Sequence, residues 1–176
     1  INLNSSRIEE AMKNFNFNKN FKHVVLGVSA SGPTKRWAIN NYLELAKKIS
    51  SKINCKFYIA GGPDDENIIR KISESEIKND CISLSKLSIK EILPIIKNCD
   101  LYVGNDTGFL HISSALGIKC IALFVDSPAF SYSAYSNNIK VIVPEGETIH
   151  STSHDTLGRD KISFDKVLFE TKKALI

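Results

Sequence analysis

Apolar residues along this chain gather in short runs that alternate with segments of helical spacing, and that alternation predicts the architecture. Phe21 to Ser29 (FKHVVLGVS), Cys55 to Ala60, Cys81 to Leu84, Leu101 to Val103, Lys119 to Val125 and Ile139 to Val143 read as strands. Their apolar residues run together instead of alternating, as in strands buried on both faces of a parallel sheet. Between them Ile39, Tyr42, Leu43, Ala46 and Ile49 share one helical face, as do Ile68, Ile69 and Ile72, and then Ile89, Ile92, Leu93 and Ile96. A last helix is predicted from about Ser163 to Ala174. Strand and helix alternate without repeat or internal boundary, which implies a Rossmann-like α/β domain: a mainly parallel sheet with helices on both faces. The polar, Asn-rich stretch 1–20 reads as a linker with a short helical segment around Ile8 to Met12, leaving 21–176 as the domain.

The stretch Asp100 to Gly117 (DLYVGNDTGFLHISSALG) predicts a strand that breaks at Gly104-Asn105 and resumes as a helix. In an open α/β sheet such a junction lies at the carboxyl edge, where ligands bind. The first N–H groups of the helix lack intrahelical partners and carry partial positive charge, which suits a phosphate. Gly104 and Gly108 allow close backbone approach, Asp106 or Thr107 can cap the helix, and Thr107 and His111, four apart, share a face. Caps and a partly buried histidine account for this stretch equally well when it is taken alone. Further loops of ligand type follow the other strands, at Ser29 to Arg36, Gly61 to Glu66, Ser85 to Leu87 and Asp126 to Phe130. Together on one rim they predict a pocket of nucleotide size.

Composition narrows the choice of partner. A chain of 176 residues with 43% hydrophobic content fits one domain with a proper core. The net charge of +4 is mild and the basic residues are scattered, which argues against nucleic acid and leaves a weak attraction to anionic substrates or an anionic membrane surface. No run approaches the roughly 18 apolar residues of a membrane span, and no signal peptide is visible. The chain begins at Ile1 instead of Met, as a fragment or processed product would. Cys55, Cys81, Cys99 and Cys120 form no C-x-x-C pair and read as reduced, mostly buried thiols of a cytosolic protein.

Three motifs in this order, SASGPTKRW (Ser29 to Trp37), IAGGPDDE (Ile59 to Glu66) and VGNDTGFLHISSALG (Val103 to Gly117), each preceded by an apolar strand, carry a resemblance. From Phe21 to its end the chain resembles the carboxyl-terminal half of glycosyltransferase family 9, the lipopolysaccharide heptosyltransferases of GT-B architecture. The resemblance implies a nucleotide-sugar donor site, typically for ADP-heptose. It also implies an amino-terminal acceptor domain, absent from this chain, that brings the glycolipid acceptor and the catalytic base. A complete member is about twice this length. Such an enzyme works in the cytoplasm, at the inner face of the inner membrane, as a peripheral protein. By the same resemblance Lys35 meets the donor phosphates with Thr34 beside it. Asp106 contacts the sugar, Thr107 and Gly108 present the helix start to the diphosphate, and His111 lines the same face. Leu87 packs against the base, and one of Asp64, Asp65 or Glu66 meets the ribose hydroxyls. The family usually reads F-G-P-T after the fifth strand; here Phe124-Val125-Asp126-Ser127-Pro128 stands instead, which alters the loop and bears on sugar specificity.

Sugar transfer needs a leaving diphosphate whose growing charge is stabilised in the transition state. No D-x-D element is present to hold a metal. Lys35, Arg36 and the N–H groups of Thr107 and Gly108 are expected to supply that stabilisation without metal or cofactor, each preorganised donor being worth about 2–4 kcal/mol. Attack would be inverting, with the base in the missing half, so this chain is expected to bind ADP- or UDP-type ligands and transfer sugar poorly. A non-catalytic nucleotide-sugar-binding module is the alternative. A haloacid dehalogenase-type phosphatase would need a nucleophilic D-x-D at the first strand, where Ser29-Ala30-Ser31 stands. His150, His154 and Asp155 lie in an irregular polar loop without a further ligand at metal spacing, and read as solvated or acceptor-facing.

Overall fold

The computed structural model describes Ile1 and residues 3–176. Its strands are β1 (Lys22–Gly27), β2 (Cys55–Ala60), β3 (Cys81–Ser83), β4 (Leu101–Asn105), β5 (Lys119–Leu123) and β6 (Ile139–Ile142). They form a sheet in the order β3-β2-β1-β4-β5-β6, every neighbouring pair parallel. The helices are α1 (Ser5–Asn14), α2 (Ile39–Ser50), α3 (Glu66–Ser73), α4 (Ile89–Lys97), α5 (Gly108–Ala115), α6 (Ala129–Ser133) and α7 (Phe164–Leu175). The fold is the predicted α/β one, and its strand order reverses between β1 and β4, opening a crevice beyond their carboxyl ends.

Two cores explain why the strand residues do not alternate in polarity. Val24 and Leu26 face Trp37, Tyr42, Leu45 and Ile49 with Val167 of α7 on one side of the sheet. Val25, Tyr58 and Tyr102 face Ile92, Ile95 and Ile96 of α4 with Leu110 of α5 on the other. Each such aliphatic side chain, fully buried, contributes about 1.5–3 kcal/mol.

The structure departs from the sequence pattern in two places that matter. The stretch read as a linker carries α1, started by Asn4, whose Oδ1 accepts a hydrogen bond from Ser6 N at 3.0 Å. Ala11 is buried, and Leu3, Phe15 and Phe17 pack on the second core. The few apolar residues there are diluted by asparagine and lysine, so periodicity understates the helix. Second, β4 runs on through Gly104 and Asn105 instead of breaking. Gly104 stays in register with Gly27 on one side and Ala122 on the other. Here glycine serves close approach: a Cβ at Gly104 would stand 2.5 Å from the Cα of Gly27.

Candidate functional site

The crevice is built from the backs of its glycines. Tyr42 donates from its hydroxyl to the Gly27 carbonyl at 3.1 Å, and Tyr102 donates to the Asn105 carbonyl at 2.8 Å. The Tyr102 ring occupies the space a Gly27 side chain would need, its hydroxyl 1.9 Å from where a Cβ would be. Asn105, fully buried, then ties the β1 loop down. Its Nδ2 donates to the carbonyls of Val28 at 3.3 Å and Ser29 at 3.0 Å, and its Oδ1 accepts from Trp37 N at 3.0 Å. The loop bearing Lys35 is thereby stitched to the end of β4, immediately before the start of α5. Lys35 and the amides of Thr107 and Gly108 lie on the same rim of the sheet.

The adjacent cations of this loop differ in fate. Arg36 Nη2 lies 2.6 Å from Asp65 Oδ1, and the other oxygen of Asp65 accepts from Gly62 N at 3.0 Å. Asp65, 4% exposed, is thus occupied on both oxygens, clamping the β1 loop to the β2 loop, whereas Asp64 and Glu66 face solvent at the start of α3. Among the described residues no carboxylate lies within 4.0 Å of the Lys35 ammonium, so its charge is unspent.

At the start of α5, Thr107 occupies the cap position with extended backbone but makes no capping hydrogen bond; its Oγ1 is buried without a partner. The first-turn N–H groups lack intrahelical acceptors, and the space at Gly108 is open, an added Cβ meeting nothing within 4 Å. Asp106 does not cap either. Its Oδ2 accepts from Ser127 Oγ at 2.9 Å, and its Oδ1 lies 3.4 Å from Nε2 of His111. The other ring nitrogen of His111, Nδ1, is 2.7 Å from the Tyr135 hydroxyl.

The remaining predicted residues fall further along the rim. Leu87 lines a cavity of about 480 Å³ between α1 and α4, with Arg7, Glu10, Phe15 and Lys90 among its neighbours. Thr34 borders a hollow of about 130 Å³ with Pro33, Leu157 and Arg159. Lys35, Asp106, Thr107, Gly108 and His111 line neither hollow. Sequence reasoning missed Asn105, Ser127, Tyr135 and Arg159, although Asn105 and Ser127 lay inside stretches already singled out. The irregular loop brings His150 against Phe130, with 4.5 Å between ring centroids, and His154 near Tyr132 at 6.2 Å. Among the described residues no group of three or more His, Cys, Asp or Glu is placed to hold a metal ion, and no helix is long and apolar enough to cross a membrane. Burial pushes the thiols of Cys55, Cys81 and Cys120 up to about 12, leaving them poor nucleophiles.

Known proteins resemble this chain in sequence and in fold. Residues 2–158 match the profile described as Glycosyltransferase family 9 (heptosyltransferase). The chain is 30% identical over 132 residues to lipooligosaccharide heptosyltransferase 2 of Haemophilus influenzae, covering 72% of this chain and 38% of that protein. Among solved structures it is similar to the E. coli ADP-heptose lps heptosyltransferase II, with a TM-score of 0.79 and 22% identity over 99% of this chain and 53% of that one. It is also similar to a family 9 glycosyl transferase from Veillonella parvula, with a TM-score of 0.81, 18% identity and the same coverage of 99% and 53%. The chain therefore spans about two-fifths of the curated relatives' length and about half that of these structures.

Proposed function

Because the chain belongs to glycosyltransferase family 9, the heptosyltransferase family, we propose that it is the donor-binding half of a transferase that moves a sugar from a nucleotide diphosphate to a lipopolysaccharide- or lipooligosaccharide-type acceptor. Heptose is the sugar and ADP-heptose the donor we favour, since a structural relative is named for that donor. The observation that carries the reading is the Asn105 stitch, which sets an unpaired lysine and an open helix start on one rim. Both are sources of positive charge, and a diphosphate is the group that needs them.

In this reading Lys35 meets the phosphates and the amides at Thr107 and Gly108 take up the charge that grows on the leaving diphosphate. No bound metal is required of that step. Asp106 and His111 face the sugar, Thr34 lies beside the phosphates, and Glu66 or Asp64 meets the ribose, since Asp65 is already engaged by Arg36. Leu87 and the adjoining cavity receive the base. The acceptor and the catalytic base come from a partner domain, and inversion follows from direct attack of the acceptor hydroxyl. The excess positive charge suits a protein that visits the anionic inner face of a membrane.

Isothermal calorimetry on this chain tests the reading. ADP is expected to bind, and Lys35→Ala to weaken it about tenfold, the loss of one charge-assisted contact. The reading is overturned by no heat with ADP or UDP, or by unchanged ADP affinity in the variant.

A further inference from the structure

We propose that Ser127 and Tyr135, both on the stretch after β5, are positioning residues that hold Asp106 and His111 in the orientation in which the rim takes its ligand. The proposal rests on the donor-site reading above.

Asp106 and His111 sit at the open start of α5, and the His111 side chain is 42% exposed. The imidazole has a long contact with Asp106, which precedes α5. Two hydroxyls from the chain on either side of α6 order this pair, one at each member. Ser127, buried, donates to Asp106 Oδ2, and that leaves Oδ1 toward His111 Nε2. Tyr135 grips the far nitrogen, with its ring 5.7 Å from the imidazole.

The proton positions follow. An ionised Asp106 calls for the N–H on Nε2, so in the neutral ring Nδ1 is the acceptor and the Tyr135 hydroxyl the donor. Desolvation raises the Tyr135 phenol above its ordinary value, so the donor proton is present at neutral pH.

The same contacts give a use to the departure from the family at Phe124 to Pro128. Asp126 is buried and its Oδ1 accepts from Leu157 N at 2.9 Å. That bond anchors the loop and aims its neighbour Ser127 at Asp106. Tyr135 is 58% exposed and carries no core packing, so its contact with His111 is not a by-product of folding.

A double-mutant cycle read by calorimetry with ADP-heptose on this chain is the test, since ADP alone lacks the sugar that Asp106 and His111 face. Tyr135→Phe and Ser127→Ala are each expected to weaken ADP-heptose roughly fivefold, the worth of one ordinary hydrogen bond, and to leave ADP itself unchanged. Ser127→Thr should restore affinity. In a His111→Ala background Tyr135→Phe should cost nothing more, and in an Asp106→Ala background, which removes the acceptor, neither should Ser127→Ala. Tyr132→Phe on α6 is the control and should change nothing. Full additivity, or unchanged affinity in both single variants, overturns the proposal. Nitrogen-15 spectra of the nucleotide-free chain decide the point separately from ADP binding. Tyr135→Phe should move the His111 ring nitrogens and leave those of His150 and His154 in place. If ADP does not bind the unsubstituted chain, the donor-site reading falls, and unmoved His111 resonances would then sink the positioning role as well.

Discussion

The two ends of the sheet hold nearly the same chemical parts in opposite states. At the amino end, His23 is 5% exposed, with Nδ1 at 3.0 Å from the Tyr58 hydroxyl and Nε2 at 3.1 Å from the Asn18 carbonyl. Its own backbone N–H donates to Asp100 Oδ2 at 2.8 Å. At the carboxyl rim, His111 meets a tyrosine hydroxyl and an aspartate too, but in the open, on the rim that also carries a lysine without a carboxylate partner among the described residues. The histidine, tyrosine and aspartate at the amino end answer one another and leave nothing for a ligand. At the rim some groups are answered, as Arg36 by Asp65, so that others are held in place unanswered. A histidine beside a tyrosine and an aspartate is therefore not a site by composition. It becomes one where the fold leaves polar groups exposed and orders them.

The comparison can be broken by substitutions that separate stability from binding. The largest effect is expected at Asn105, because Asn105→Ala leaves Trp37 N and the carbonyls of Val28 and Ser29 without their partner inside the protein. A loss of about 3 kcal/mol in chemical denaturation is expected, together with loss of ADP binding, because the Lys35 loop is released. Tyr58→Phe at the amino end should cost less, about 1–2 kcal/mol, by orphaning the buried His23 Nδ1, and should leave ADP affinity unchanged. A stable Tyr58→Phe variant that no longer binds ADP would erase the contrast between the ends.

Smaller again is a pH effect. Desolvation lowers the His23 pKa from 6.5, against the raising influence of the Asn18 carbonyl and Asp100. The unfolded chain thus takes up a proton at a pH where the folded one does not. The contribution is complete above 6.5 and is lost as pH falls below 6.5 toward the folded value. Thermal denaturation between pH 7 and 5 should show a fall in midpoint that is shallower in His23→Gln. The smallest change in stability, within about 0.5 kcal/mol, is expected for Lys35→Ala, whose consequence falls on ADP alone.

How much of this was legible in the sequence follows the same division. The strands were readable because both faces of a parallel sheet demand apolar residues, and runs such as Val24 to Leu26 have no other simple use. The rim was readable at Asp106 to His111 and at Lys35, where motif and turn chemistry coincide. Hydropathy could not reveal Asn105, since a fully buried asparagine looks like a loop residue until its three partners are known. Nor could it say which of Asp64, Asp65 and Glu66 turns inward, for acids at a helix start are interchangeable in pattern. Ser127 and Tyr135 meet Asp106 and His111 across 21 and 24 positions of chain, contacts that only the β4–β5 pairing creates.

The most direct test of the central claim is an amide-resolved NMR titration of the chain with ADP. The account predicts shifts concentrated at Lys35, Leu87 and Asn105 to Gly108, with the His23 end of the sheet unmoved. Shifts confined to the α1–α4 cavity or to the amino end, with Lys35 and Gly108 silent, would contradict it.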